Sequence, residues 1–212
     1  MRDSSDTSQS RWEVIEIIEA LILALVAVTT AWSGYQAAEW AGKRAELYAK
    51  SNQLRVAAEG LATLAGQERI YDSDTFNSWV VATLDGKVEA AEFFERRFRD
   101  EYRPAFAAWM KTDPFNNAHA PAGPIFMPEY HNARHEQFLE LTKQAAETAD
   151  RGTKSGETGD QYVRITVLLA TVLLITAIGQ RFRFKSVRVV FMILAWLLLC
   201  LPFWQLLRLP RI

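Results

Sequence analysis

Nineteen consecutive residues, Ala20 to Ala38, carry no charge, and this run limits what the chain can fold into. About 20 apolar residues cross a hydrocarbon core, and within it a helix is the simplest way to satisfy every backbone group. Residues 11–38 are therefore read as a first transmembrane helix after a polar tail, 1–10. Ser10 with Glu13 three residues on fits a capping box, which predicts a helix start there. Trp12 and Trp32 stand 20 residues apart, roughly 30 Å on a helix, which puts an indole at each interface. Glu13, Glu16 and Glu19 precede the run where a signal peptide would be positive, so a cleaved leader does not fit.

Small residues recur along the same stretch at Ala20, Ala24, Ala27, Ala31, Gly34, Ala38, Ala41 and Ala45. The alternating four and three spacing is that of a coiled-coil heptad, and small side chains let helix backbones approach where lipid supplies no hydrophobic drive. We read these eight residues as a helix-packing seam. Its part beyond Gly34 is expected to meet the helix returning over Glu129 to Asp150.

Residues 39–161 read as a helical soluble domain. The first helix is expected to continue to about Arg69, with the turn and cap residues Asp72, Ser73 and Asp74 opening a second helix. Gly86 weakens that helix, and Pro104 divides it and heads the next, PAFAAWM. Residues 113–128 hold four prolines and form a loop, whose Phe115, Ile125, Phe126 and Met127 are expected to pack on the helices. A further helix should start at Pro128. The stretch GTKSGETGD is either a flexible joint or a helix held by tertiary contacts. Residues 162–181 form a second span, 182–188 a short basic loop, 189–207 a third span and 208–212 a tail.

The total charge of −1 hides an uneven distribution: residues 36–161 carry net −5 and the remainder net +4. No concentrated basic surface points to nucleic acid. The single cysteine, Cys200, excludes an intrachain disulfide framework. Arg181, Arg183, Lys185 and Arg188 carry no acid among them, and the positive-inside rule keeps that loop in the cytoplasm, which places the soluble domain outside. Lys43, Arg44, Lys50, Arg151, Lys154 and the tail residues Arg208 and Arg211 argue the other way, but long loops count for less in this rule.

Candidate site residues follow from these charges. On an ideal helix Glu13 and Glu16 fall on the seam face and Glu19 on its flank. The reading ranked first is interfacial ion pairs between Glu13, Glu16, Glu19 and Arg181, Arg183, Lys185, Arg188. The other is an ion site, with seam carboxylates of several subunits forming an acidic ring. His131 and His135 share a helix face but are too few for a metal site, and Asn132 stands where a zinc-protease glutamate would be. Glu92 with Arg96 and Glu95 with Arg99 are i, i+4 pairs. Phe93, Phe94, Phe98, Tyr102, Phe106 and Trp109 read as core. No glycine-rich phosphate loop and no activated nucleophile stands out, so no catalytic residue and no cofactor is expected.

The strings TTAWSGYQAAEW, RPAFAAWMKTDPF, APAGPIFMPEY and DQYVRITVLLATVLLITAIGQRF resemble an uncharacterised family of bacterial three-span membrane proteins with a helical insert between the first two spans. The resemblance covers most of the chain. It implies a multi-pass protein of the bacterial inner membrane and transfers no functional residue; His131 and His135 depart from its pattern.

The expectation is an all-α protein with three transmembrane helices: a non-enzymatic membrane scaffold, sensor or interaction protein. Its partners would be the lipid bilayer and a protein of unknown identity. The alternative is a homo-oligomeric ion channel or transport component.

Overall fold

The computed structural model describes residues 3–182 and 184–212, with side chains from Glu16 onward apart from Arg183 and Lys185. The Ser10 and Glu13 cap, Trp12, Arg183 and Lys185 thus lie outside the described side chains. The described residues form helices α1 (Asp3–Leu84), α2 (Val88–Glu95), α3 (Arg103–Met110), α4 (Ala133–Gln180) and α5 (Lys185–Arg208), with a 3-10 turn at Pro124–Phe126 and no strand. Helices α1, α4 and α5 are each long and apolar enough to cross a membrane.

Helix α1 is 82 residues long and does not stop where the turn residues predicted. It is already helical at Asp3, upstream of Ser10, and passes through Asp72, Ser73 and Asp74 unbroken. The reason is what those side chains bond to. The hydroxyls of Ser73, Thr75 and Ser78 donate to the carbonyls of Arg69, Tyr71 and Asp74, one turn back, and the Asp72 carboxylate is taken by a distant arginine instead of capping. Termination falls at Gly86, whose φ of 70° turns the chain out of the helix. Pro104 stands one residue inside α3 rather than at its first position. Helix α4 begins at Ala133, not Pro128. The Asn132 side chain accepts the His135 amide at 2.9 Å, satisfying a free donor of the first turn.

The chain divides into two compact units, residues 1–49 with 148–212, and residues 50–147. In the first, α1 buries Glu19, Ile22, Val26, Thr29, Ser33 and Gln36, a heptad-spaced stripe that packs on α4 and α5. Its core includes Val26, Tyr162, Leu169, Val172 and Leu199. All eight residues of the small-residue seam are exposed, so the expectation that the seam meets α4 is corrected. Closeness comes instead from glycines on α4. A Cβ at Gly152 would lie 3.1 Å from the Tyr48 ring, one at Gly156 2.8 Å from Arg44 Cδ, and one at Gly159 3.3 Å from Trp40 Cβ. The large residues sit on α1 and the small ones on α4, so GTKSGETGD is helix, with its glycines serving close approach. Ser33 Oγ donates to the Tyr162 carbonyl at 3.0 Å, tying the same two helices. Gln36 exchanges two hydrogen bonds with the Ile212 backbone, and Tyr162 donates to the Pro210 carbonyl, which holds residues 208–212 against this face. Leu21, Leu25 and Val28 on α1, Val167 and Leu174 on α4, and Val190 and Leu197 on α5 are exposed, the outward apolar face expected of spans in lipid.

The second unit has its own aromatic core. Trp79 meets Phe106 edge-on at 4.8 Å and Phe76 meets Trp109 at 5.0 Å, the geometry aromatic quadrupoles favour. Ile125 and Met127 of the proline-rich loop pack on this cluster, and Trp109 Nε1 donates to the Pro121 carbonyl at 2.7 Å. Phe126 is 61% exposed and Phe115 is half exposed with its ring near Trp79 and Trp109, so the loop packs through fewer of its apolar residues than expected. Phe93 is likewise a surface residue, with the Arg97 guanidinium 3.6 Å from its ring centroid.

Candidate functional site

The second unit holds a charge network that sequence reasoning missed. Asp72 is 1% exposed on the inner face of α1. Arg99, on the turn between α2 and α3, donates to it in a fork, Nε to Oδ1 at 2.9 Å and Nη2 to Oδ2 at 2.7 Å. The Tyr130 hydroxyl donates to the same carboxylate at 3.1 Å. One turn back on α1, Glu68 accepts from Arg134 Nε at 2.6 Å and from Asn132 Nδ2 at 3.0 Å, with Arg99 Nη1 3.5 Å away. Glu101 lies 3.3 Å from Arg99. The Glu95 and Arg99 pair predicted by i, i+4 spacing is absent because Arg99 faces inward, whereas Glu92 and Arg96 stand 3.6 Å apart on the surface.

Electrostatics follow from this geometry. The hydrogen bonds from Arg99 to Asp72 hold the guanidinium above its ordinary pKa, against the opposing effect of burial. Burial, then the Asp72 charge, raises the Tyr130 phenol, and the same two causes raise Tyr102. The fully buried Tyr102 hydroxyl has no hydrogen-bond partner among the described residues. Both phenols stay neutral beside the buried Asp72 carboxylate, and Arg99 joins Asp72 to Glu68 and Glu101, so the network acts as a clamp. It fastens α1, the turn before α3 and the segment leading into α4.

Beside the clamp opens a cavity of about 430 Å³. Helix α1 supplies Gly66 and Arg69, the loop supplies Tyr130 and His131, and the start of α4 supplies His135 and Phe138. A Cβ at Gly66 would meet nothing within 4 Å, so the missing side chain leaves the floor open. Arg69 makes no ion pair among the described residues, and His131 stands 3.6 Å from Glu136. The two histidines share this rim, and the described residues contain no group of three metal-ligating side chains. The lining combines the Arg69 guanidinium, two imidazoles and the Asn132 amide with Phe138 and small residues, a set suited to an anion with an apolar body, and the Glu136 carboxylate in the same lining stands beside His131.

In the first unit, Arg188 stands on the first turn of α5 and grips Glu19 through Nε at 2.8 Å and through Nη2. Glu16 is exposed, 3.7 Å from Arg188 Nη1. The structure therefore brings together Glu16, Glu19 and Arg188, and it is the flank acid Glu19, 4% exposed, that is buried. Arg181 is exposed; Glu13, Arg183 and Lys185 fall outside the described side chains.

The buried acid of the second unit had one signal in the sequence. Ser51, Ala58, Ala65, Asp72 and Trp79 recur every seven residues and are all buried, so Asp72 occupies a core position of a heptad stripe. No family model, curated protein or solved structure matches this chain.

Proposed function

We propose that this chain is a non-enzymatic, multi-pass membrane sensor whose second unit binds a small organic anion in the cavity beside the Asp72 clamp. The observation that carries the reading is the cavity's lining: it is built from α1, the loop before α4 and the start of α4, and each of the two helices continues without interruption into an apolar run of membrane-crossing length. A ligand that bridges Arg69 and the start of α4 touches both helices at once, and a helix unbroken along its length transmits a shift better than a jointed one. In this reading the bilayer is the inner membrane of a bacterium, the second unit lies outside, and a protein partner receives the signal.

The test is a thermal-shift panel on the detergent-solubilised full chain, with small aliphatic and aromatic carboxylates set against their uncharged amides. Carboxylates should raise the melting temperature and amides should not. Gly66→Leu, whose Cβ enters open space at the cavity, and Arg69→Gln should each remove the response. Absence of any carboxylate-specific shift, or its survival in Gly66→Leu, would overturn the assignment.

A homo-oligomeric channel or transport component is the second reading, favoured by the exposure of all eight residues of the Ala20 to Ala45 seam, with Glu16 exposed nearby. Mass photometry in lipid nanodiscs decides it: a monomer removes this reading, and an oligomer dissociated by Gly34→Leu supports it.

A further inference from the structure

Helices α4 and α5 enclose a second cavity, of about 330 Å³, at the end of their apolar runs where the sequence expects the membrane surface. Its lining is basic. Arg164 and Arg208 face it together with Gln161, Gln205 and Trp204, and Ile165 closes the apolar side. Neither arginine has a carboxylate within ion-pair distance among the described residues, although Glu157 and Asp160 are one to two turns away on α4. The Arg208 guanidinium lies 3.8 Å from the Trp204 ring centroid, which fixes its plane and leaves its edge for an acceptor.

An arginine pair without acids needs an explanation at this depth. Arginine at a span's end ordinarily extends its head to water, since the charge is costly in hydrocarbon. Here two arginines and two glutamines line one concavity, and all four side chains carry hydrogen-bond donors. Planar guanidinium forks match the oxygens of a phosphate, and amide donors complete such a shell. Trp204 is the amphipathic residue type that settles at headgroup level. The flanking apolar faces of α4 and α5, including Val167 and Leu201, are exposed and continue from the cavity along the helices.

We propose that this cavity binds a phosphate group, and that its source is the headgroup of an anionic lipid whose acyl chains lie along the exposed faces of α4 and α5. The lipid and a free phosphate ion share the recognising chemistry; the adjoining apolar faces favour the lipid. The site is independent of the anion cavity of the second unit and stands whether or not that reading holds.

The experiment is native mass spectrometry of the full chain released from detergent containing equal phosphatidylglycerol and phosphatidylcholine, with a parallel arm of inorganic phosphate. The wild-type chain should retain phosphatidylglycerol preferentially. Arg164→Gln and Arg208→Gln should each lower that preference about fivefold, the effect of about one surface cation on an anionic lipid. The control is Arg181→Gln, at the other end of the apolar run that follows Arg164, which should leave it intact. Melting temperature without lipid checks that each variant is folded. If the double variant Arg164→Gln/Arg208→Gln is unfolded, the single variants carry the test. Equal retention of the two lipids, or a loss at Arg181→Gln as large as at the cavity, overturns the proposal. A response to inorganic phosphate with no preference for phosphatidylglycerol overturns the lipid as occupant.

Discussion

Arg99 reaches back 27 residues to hold Asp72 with two parallel hydrogen bonds, and the aspartate it holds lies inside a continuous helix at a point its own sequence neighbours mark as a turn. The ion pair engages the carboxylate that would otherwise compete for its own backbone, which favours an unbroken α1. With Arg99 removed, Asp72 is a buried charge in reach of a backbone that the DSD sequence already inclines to open. Asp72→Ala and Arg99→Leu should each cost the second unit about 3–5 kcal/mol, the scale for leaving one partner of a buried pair alone. Asp74→Ala, on the exposed face, should change little. Hydrogen exchange resolved by peptide would show faster opening over residues 66–78 in the first two variants and not in the third. Wild-type protection in Arg99→Leu would mean that packing alone maintains the helix.

In the first unit Glu19 and Glu16 compete unequally for Arg188. Glu19 is buried and gripped by two donors, Glu16 is exposed and 3.7 Å away. Exposed pairs contribute about 0–1 kcal/mol, while breaking a buried one leaves a desolvated charge. Glu19→Gln should lower the melting temperature of the detergent-solubilised chain by several degrees, and Glu16→Gln should leave it within error. Equal effects would show that Arg188 serves both acids alike.

Glycine substitutions separate the two small-residue stripes. Gly159 faces Trp40, and an added Cβ there lies 3.3 Å from the Trp40 Cβ and 3.5 Å from the Ala37 carbonyl, a backbone atom that cannot move aside. A Cβ at Gly34 meets nothing within 4 Å. Gly159→Leu is therefore expected to separate α1 from α4 and destabilise the fold by about 1–3 kcal/mol, the range for overpacking. Gly34→Leu should leave the single-chain fold intact. Thermal unfolding of the monomer checks the pair, and a larger loss at Gly34 would show that its face is covered in the isolated chain.

These contrasts also show where sequence reasoning reached its limit. The three apolar runs were legible because charge-free length is a local property, and the helices follow it. The seam was not. Two heptad stripes are interleaved on α1, one of Ala and Gly and one carrying Glu19, Val26, Ser33 and Trp40, and small size marked the wrong one for contact with α4. The glycines that achieve close approach lie on the partner helix, in a stretch whose composition suits a joint equally well. Asp72 was hidden for a different reason. Turn-forming residues state a local preference, and the guanidinium that overrides it is remote in sequence. The cavity residues Gly66, Arg69, His135 and Phe138 come together only through α1 and α4 pairing, which spacing within either helix does not encode.

The clamp also makes a prediction about alkaline pH. Burial and the Asp72 charge raise the Tyr130 phenol above its ordinary 10.0. The folded state thus binds this proton more tightly than the unfolded state. Its contribution to stability is complete below pH 10, and it is lost as pH rises from there through the folded pKa. Tyr102, raised by the same causes, adds to the loss at higher pH. Phenolate absorbance at alkaline pH should show these tyrosines ionising above the ordinary tyrosine range, and unfolding of the second unit should accompany them. Tyr130→Phe keeps the ring, removes the proton and the 3.1 Å hydrogen bond to Asp72, and should shift the onset of alkaline unfolding upward while lowering stability at neutral pH. An unchanged alkaline limb in Tyr130→Phe would place the sensitive group elsewhere in the unit.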